Sequence, residues 1–157
     1  MSARQVGFWA AGVPIPQGSK RIGRNRATKK PILIDDNDAV LKPWRDLVAG
    51  EARKAIGGAA PLDGPLGVDL TFYMPRPAGH YKADGVSLRA SAPPLWAAVK
   101  PDVDKLERAV FDSLTAGGLW VDDARACIAR KSKQYADLPH QAGVYVAVWE
   151  IRAGETR

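Results

Sequence analysis

The chain is poor in sulfur and histidine. One cysteine, Cys127, excludes an internal disulfide framework. It falls in a β-prone run and is expected as a small core residue. The two histidines, His80 and His140, are far apart and lie in Pro/Gly-flanked segments. They make poor partners for one metal and are expected in exposed loops. No apolar run reaches the ~20 residues that a membrane span needs. The opening residues, Met1 to Trp9, lack the long apolar core of a signal peptide. A cytoplasmic protein is expected. No repeat or low-complexity tract interrupts the sequence. Acids are missing altogether from one stretch, between Gln17 and Pro31.

That stretch carries Lys20, Arg21, Arg24, Arg26, Lys29 and Lys30. The net charge is +6, and these six cations account for all of it; elsewhere cations and acids balance at 17 each. Most charge runs are solvated surface. This one is Arg-rich, and the planar guanidinium fork suits phosphate. Gly18, Ser19, Gly23 and Asn25 leave its backbone adaptable. Residues 20–30 are therefore expected to be a flexible segment that contacts nucleic acid.

The other 75% of the residues are uncharged, 46% of the chain is apolar, and 157 residues suit one domain. Strands are expected over Gln5–Ala11, Leu66–Met74, Ala126–Gln134 and Gly143–Arg152. Ile32-Leu33-Ile34 suits the second arm of a hairpin. A helix is expected from Pro43 to Ile56, with Pro43 in its first turn and Gly57-Gly58 as its stop. A second runs from about Asp104 to Thr115. Residues 75–101 read as loop. The order implies a single α+β domain, residues 1–157, with a mixed sheet of four to five strands and two helices on one side. Trp9, Trp44, Trp120 and Trp149 are expected in the core, whereas Trp96 lies in a loop and is a candidate stacking group.

Acids collect around the second helix. Asp102 and Asp104 precede or open it, and Asp122-Asp123 follow it. The plain reading is structural: Asp104 and Glu107 have capping-box spacing, and Asp122-Asp123 suit a turn. The alternative is a metal site. Two residues apart in an extended lead-in, Asp102 and Asp104 point the same way. The run Leu119-Trp120-Val121 is long enough to bring Asp123 back towards them. Three converging carboxylates repel unless a cation is bound, and Mg²⁺ favours oxygen ligands. Arg108, one turn after Asp104, suits either ion pairs with Asp104 and Asp112 or a developing negative charge. Lys105 is the adjacent alternative. Three classes stay open on these residues: a Mg²⁺-dependent nuclease, a DNA-binding module without catalysis, and a Mg²⁺ enzyme acting on a phosphorylated small molecule.

The run Lys100-Pro-Asp-Val-Asp-Lys-Leu-Glu-Arg-Ala-Val-Phe-Asp-Ser-Leu-Thr, followed by Leu-Trp-Val-Asp-Asp-Ala, resembles the signature of the RusA family of Holliday junction resolvases. Gly12 to Arg21, Leu66 to Pro77 and Lys131 to Tyr135 resemble further parts of it. The resemblance implies a homodimeric, Mg²⁺-dependent endonuclease of bacterial or phage origin, with Mn²⁺ as a substitute ion. Its substrate would be branched DNA such as a four-way junction, cut by paired nicks. It assigns the metal acids to Asp102, Asp104 and Asp123. The family's catalytic lysine falls on Arg108, which keeps the charge but not a transferable proton; Lys105 is the nearest residue able to supply one. Lys100 joins the six cations of residues 20–30 as an expected DNA contact.

Overall fold

Alternating apolar residues build the sheet. The computed structural model describes residues 2–18, 20–35, 37–138 and 141–155. Strands β1 (Gln5–Ala11), β4 (Leu66–Met74), β5 (Ala126–Tyr135) and β6 (Gly143–Glu150) form one sheet in the order β1-β6-β4-β5. In β4, Leu66, Val68, Leu70 and Phe72 are fully buried, while Asp69, Thr71 and Tyr73 on the opposite face are half-buried. The β1/β6 and β4/β6 pairs are antiparallel, and β4/β5 is parallel. A parallel pair requires a crossover. Helix α2 (Val103–Ala116) lies within it. Helix α1 (Asp38–Ile56) packs on both α2 and β1. Trp44, Val48 and Ala52 of α1 meet Leu106, Ala109 and Val110 of α2 and the inward residues of β4 and β6 in one core. Both helices therefore cover the same sheet face. This is the expected α+β domain with a four-stranded mixed sheet; a separate two-stranded hairpin stands beside it.

Helix α1 begins five residues before its expected start. Pro43 lies inside the helix, not in its first turn. Proline forfeits its own N–H bond to the residue four before it, and its ring crowds that residue's carbonyl. The preceding turn is held independently: Leu41 N–H donates to the Asn37 carbonyl at 2.9 Å, and the Asn37 side chain donates to the Pro16 carbonyl at 2.7 Å. The extra turn adds Leu41 to the buried stripe, whereas Leu47 at its edge stays 41% exposed. Gly57 ends the helix in the left-handed region, φ 61°, where a glycine is favoured.

Cys127 is exposed, against expectation. The reason is a register shift. Leu66 pairs with Ala126 and Gly67 with Ile128, so Cys127 drops out of the ladder. Trp44 and Trp120 are buried as expected. Trp9 and Trp149 instead lie on the outer face of the sheet, packed over the glycines Gly143 and Gly67 of neighbouring strands. His80 is half-buried, 5.2 Å edge-on to Tyr135. His140 lies outside the described residues.

The basic segment takes regular form. Strands β2 (Lys20–Arg24) and β3 (Pro31–Asp35) pair antiparallel. Asn25 organises the turn: its Oδ1 accepts from the N–H of Ala27 at 2.9 Å and of Thr28 at 3.0 Å.

Candidate functional site

Helix α2 is the platform. Leu106, Ala109, Val110, Ser113 and Leu114 recur at three- and four-residue spacing and are buried. The opposite face is thereby left for charged residues. Asp102 occupies the N-cap position with extended backbone, φ −68° and ψ 138°. Its carbonyl accepts the Leu106 N–H at 3.2 Å, but its carboxylate makes no cap bond. The nearest cation to that carboxylate is Lys105, with Nζ 4.0 Å from Oδ2.

This corrects the expected capping box. The cap position is Asp102, and Asp104 stands within the first turn. Glu107 is engaged elsewhere, 3.0 Å from Lys131 Nζ on β5. The extended lead-in also ends one residue earlier than expected. Asp102 thus belongs to the extended lead-in and Asp104 to the helix, so the two do not share one extended run.

The chain after α2 does turn back. Leu119 N–H donates to the Leu114 carbonyl at 3.0 Å. Leu62 then clamps the return, donating to Leu119 at 2.8 Å and accepting from Val121 at 3.0 Å. Between them Trp120 is buried, edge-on to Phe111 at 5.0 Å, with its indole N–H 2.8 Å from Thr115 Oγ1. Asp122 caps the next short turn by accepting the Ala124 N–H at 2.7 Å. That gives Asp122 a structural task. Asp123 is left to face a groove lined with Gln17, Arg108, Phe111 and Asp112.

The return thus meets the middle of α2, not its start. Asp123 shares the groove with Arg108 and Asp112; Asp102 lines a separate cavity with Lys105, and Gln17 borders both. Burial holds the Asp123 carboxyl above the ordinary carboxylate range, and Asp122 and Asp112 add to the shift. Asp112 was not singled out from the sequence as a site residue. Its expected partner was Arg108, yet its carboxylate pairs with Arg45 of α1 at 3.5 Å. The available signal was spacing: Asp104, Arg108 and Asp112 recur every fourth residue along one stripe.

The donor set suits a hard divalent ion. Carboxylate oxygens are its preferred ligands, and an ion would relieve the like charge that raises Asp123. The acids are not gathered into a cage: among the described residues, no three of His, Cys, Asp and Glu form a group that could hold a metal. Asp102, Asp104 and Asp123 are brought to one helix without being brought together.

The expected DNA contacts are mostly at the surface. Arg24, Arg26, Lys29, Lys30 and Lys100 are exposed. The backbones of Lys20 and Arg21 lie in β2, and their side chains are outside the described residues. Trp96 is 60% exposed in the long loop and bridges to Gln134. No described helix is long and apolar enough to cross a membrane.

A family model described as "Endodeoxyribonuclease RusA" matches residues 11–148. The chain is also 27% identical to "Uncharacterized protein YqaN" of Bacillus subtilis (strain 168), over 94% of this chain and 98% of that protein.

Proposed function

The chain belongs to the RusA endodeoxyribonuclease family, and from that premise we propose that it is a Mg²⁺-dependent, structure-selective endonuclease that resolves four-way junctions and other branched DNA by paired nicks. The observation that carries this reading is the setting of Asp123. Exposed yet partly desolvated, and crowded by Asp122 and Asp112, its carboxyl is held above the ordinary range and faces the same groove as Arg108, on the helix whose start bears Asp102 and Asp104. Crowded carboxylates beside an exposed arginine suit a cation and a phosphate better than they suit a purely structural turn.

In this reading Asp102, Asp104 and Asp123 would hold the ion, which would have to draw them together from the two sides of α2 where they stand. When bound, Mg²⁺ polarises a phosphate and lowers the pKa of a water. Arg108 stabilises negative charge developing on the phosphoryl and leaving oxygens. A guanidinium is a poor proton donor, so Lys105 is the candidate donor to the leaving oxygen. The arginines and lysines of the β2/β3 hairpin, with Lys100, grip the backbone and make binding salt-sensitive. A two-fold homodimer would set two such sites on opposite strands of a symmetric junction.

The test is a synthetic four-way junction and a plain duplex, each incubated with and without Mg²⁺. Symmetric nicks in the junction alone, dependent on Mg²⁺, are expected. Asp102→Asn should abolish cutting and retain junction binding. Binding without any nicks would favour a non-catalytic DNA-binding module. Neither binding nor nicks, with activity on a small phosphate ester, would favour a metabolic phosphohydrolase.

A further inference from the structure

Beside Asp102 lies a cavity of about 630 Å³, within the range of pockets that hold a small organic ligand. The proposed mechanism uses Lys100, Asp102 and Lys105 at the cavity's edge and leaves the apolar interior without a role. Three walls enclose it: the Pro14–Gln17 turn, the Met74–Pro77 corner and the Val99–Pro101 segment. They are almost wholly apolar, and Tyr135 completes the lining. The cavity's charged groups are Lys100, Asp102 and Lys105, with Gln17 as a further polar neighbour.

The walls are pinned in place. The Gln17 N–H donates to the Lys105 carbonyl at 2.9 Å, tying the first wall to α2. Lys133 Nζ donates to the carbonyl of Val99 and, at 2.6 Å, to that of Pro101. Arg76 lies 4.7 Å from the Tyr135 ring centroid and donates to the carbonyls of Pro93 at 2.6 Å and Pro94 at 2.9 Å. An apolar cavity held open by hydrogen bonds in its own walls costs a ligand little ordering.

Its occupant must be apolar at one end and anionic at the other. A nucleotide has that form: a base with apolar faces, tethered to a phosphate. The base would enter among the prolines and Tyr135, leaving its phosphate beside Lys100 and Lys105 and next to Asp102. Resting on the endonuclease reading, we infer that this cavity receives one unstacked base of the DNA, from a nucleotide next to the scissile phosphate. Bases at a branch point are cheaper to extrude than those in continuous duplex. The cavity therefore ties cutting to branched DNA.

The experiment combines a base deletion with a filled cavity. Abasic residues are placed one at a time within two nucleotides of the cleavage position of a four-way junction. Affinity is measured without divalent metal, so that the DNA stays intact. Wild-type protein should bind one of these abasic junctions about ten-fold more weakly, within the range for loss of one stacked base. Val99→Phe places a ring in the cavity from a residue that is 54% exposed, where folding tolerates the change. The variant should bind the intact junction with a similar deficit and be indifferent to the abasic position. A less than two-fold effect at every abasic position, or losses that simply multiply between variant and abasic site, overturns the inference. Nicking in Mg²⁺ is scored in parallel. Normal paired nicks with no abasic effect overturn the cavity and leave the endonuclease standing. An abasic effect without nicks overturns the endonuclease and leaves the cavity.

Discussion

Adding one methyl group at two glycines should move stability in opposite directions. Gly117 closes α2 with φ −78° and ψ −6°, a conformation open to alanine. No backbone strain follows from Gly117→Ala. Space is the obstacle. A Cβ there would lie 2.5 Å from the Ala49 carbonyl oxygen and 3.0 Å from the Ala52 Cβ, both on α1. Backbone atoms cannot swing aside, so α1 and α2 must separate. Overpacking of this kind costs about 1–3 kcal/mol. For a domain of this length each kcal/mol shifts Tm by about 2–4 °C, giving a fall of roughly 2–12 °C. Gly50 lies inside α1 with nothing within 4 Å of its Cβ position. There alanine gains about 0.5–1 kcal/mol from helix propensity, or roughly 1–4 °C. Thermal melts followed by circular dichroism in one buffer decide it. A Gly117→Ala variant melting at or above wild type would refute the close-contact argument. A Gly50→Ala variant melting at or below wild type would refute the propensity argument at the second site.

Replacing Arg24, Arg26, Lys29 and Lys30 by glutamine should flatten the dependence of log affinity on log salt by up to about 3.6, at 0.9 per phosphate contact; an unchanged slope in a salt titration would return the hairpin turn to ordinary surface. Asp123→Asn should raise Tm at pH 7. The folded protein holds the Asp123 proton more tightly than the unfolded chain, so its ionisation opposes folding. The variant's advantage should shrink as pH falls through the raised pKa and vanish below the ordinary value of 3.8. Added Mg²⁺ should stabilise wild type and not this variant; equal stabilisation would remove Asp123 from the ligand set. Lys133→Met leaves the Val99 and Pro101 carbonyls without their donor, at a cost of about 1–3 kcal/mol in urea denaturation. A neutral result would mean that those bonds do not hold the cavity wall.

Local alternation was readable where the chain obeys one period throughout. Gln5–Ala11 and Leu66–Met74 begin and end as the sequence indicates, because each inward position is apolar and turn residues follow. The features that were misread depend on partners distant in sequence. Cys127 leaves the core through a register shift against Leu66 and Gly67, which no period within β5 reveals. Pro43 suggested a helix start, yet the true start is stabilised by Asn37 reaching the Pro16 carbonyl. Trp9 and Trp149 looked like core residues by size. They lie outside because Gly143 and Gly67 offer flat ground on adjacent strands. The acids were found, but their grouping was not. Where Asp123 arrives along α2 is set by the clamp of Leu62 on Leu119 and Val121, from a segment nearly sixty residues away.

Helical geometry explains why those acids divide. Asp104, Arg108 and Asp112 form one stripe, and Asp123 docks against its far half. Asp102 and Lys105 form another, three residues apart, beside the proline-walled cavity. Adjacent residues such as Asp104 and Lys105 are about 100° apart around the axis. Each stripe therefore sets a cation near a carboxylate: Lys105 pairs with Asp102 at 4.0 Å, and Arg108 lines one groove with Asp123. A phosphate at the helix start would lie between the two cations, with an acid on either side. Lys105 and Arg108 are then not alternatives for one role. On the proposed reading Lys105 would serve the side that receives the nucleotide and supply a proton there, and Arg108 would offset the crowded carboxylates on the other side. Lysine in place of Arg108 would keep that offset as a point charge but lose the planar fork. Proton donation would still rest with the stripe that borders the cavity.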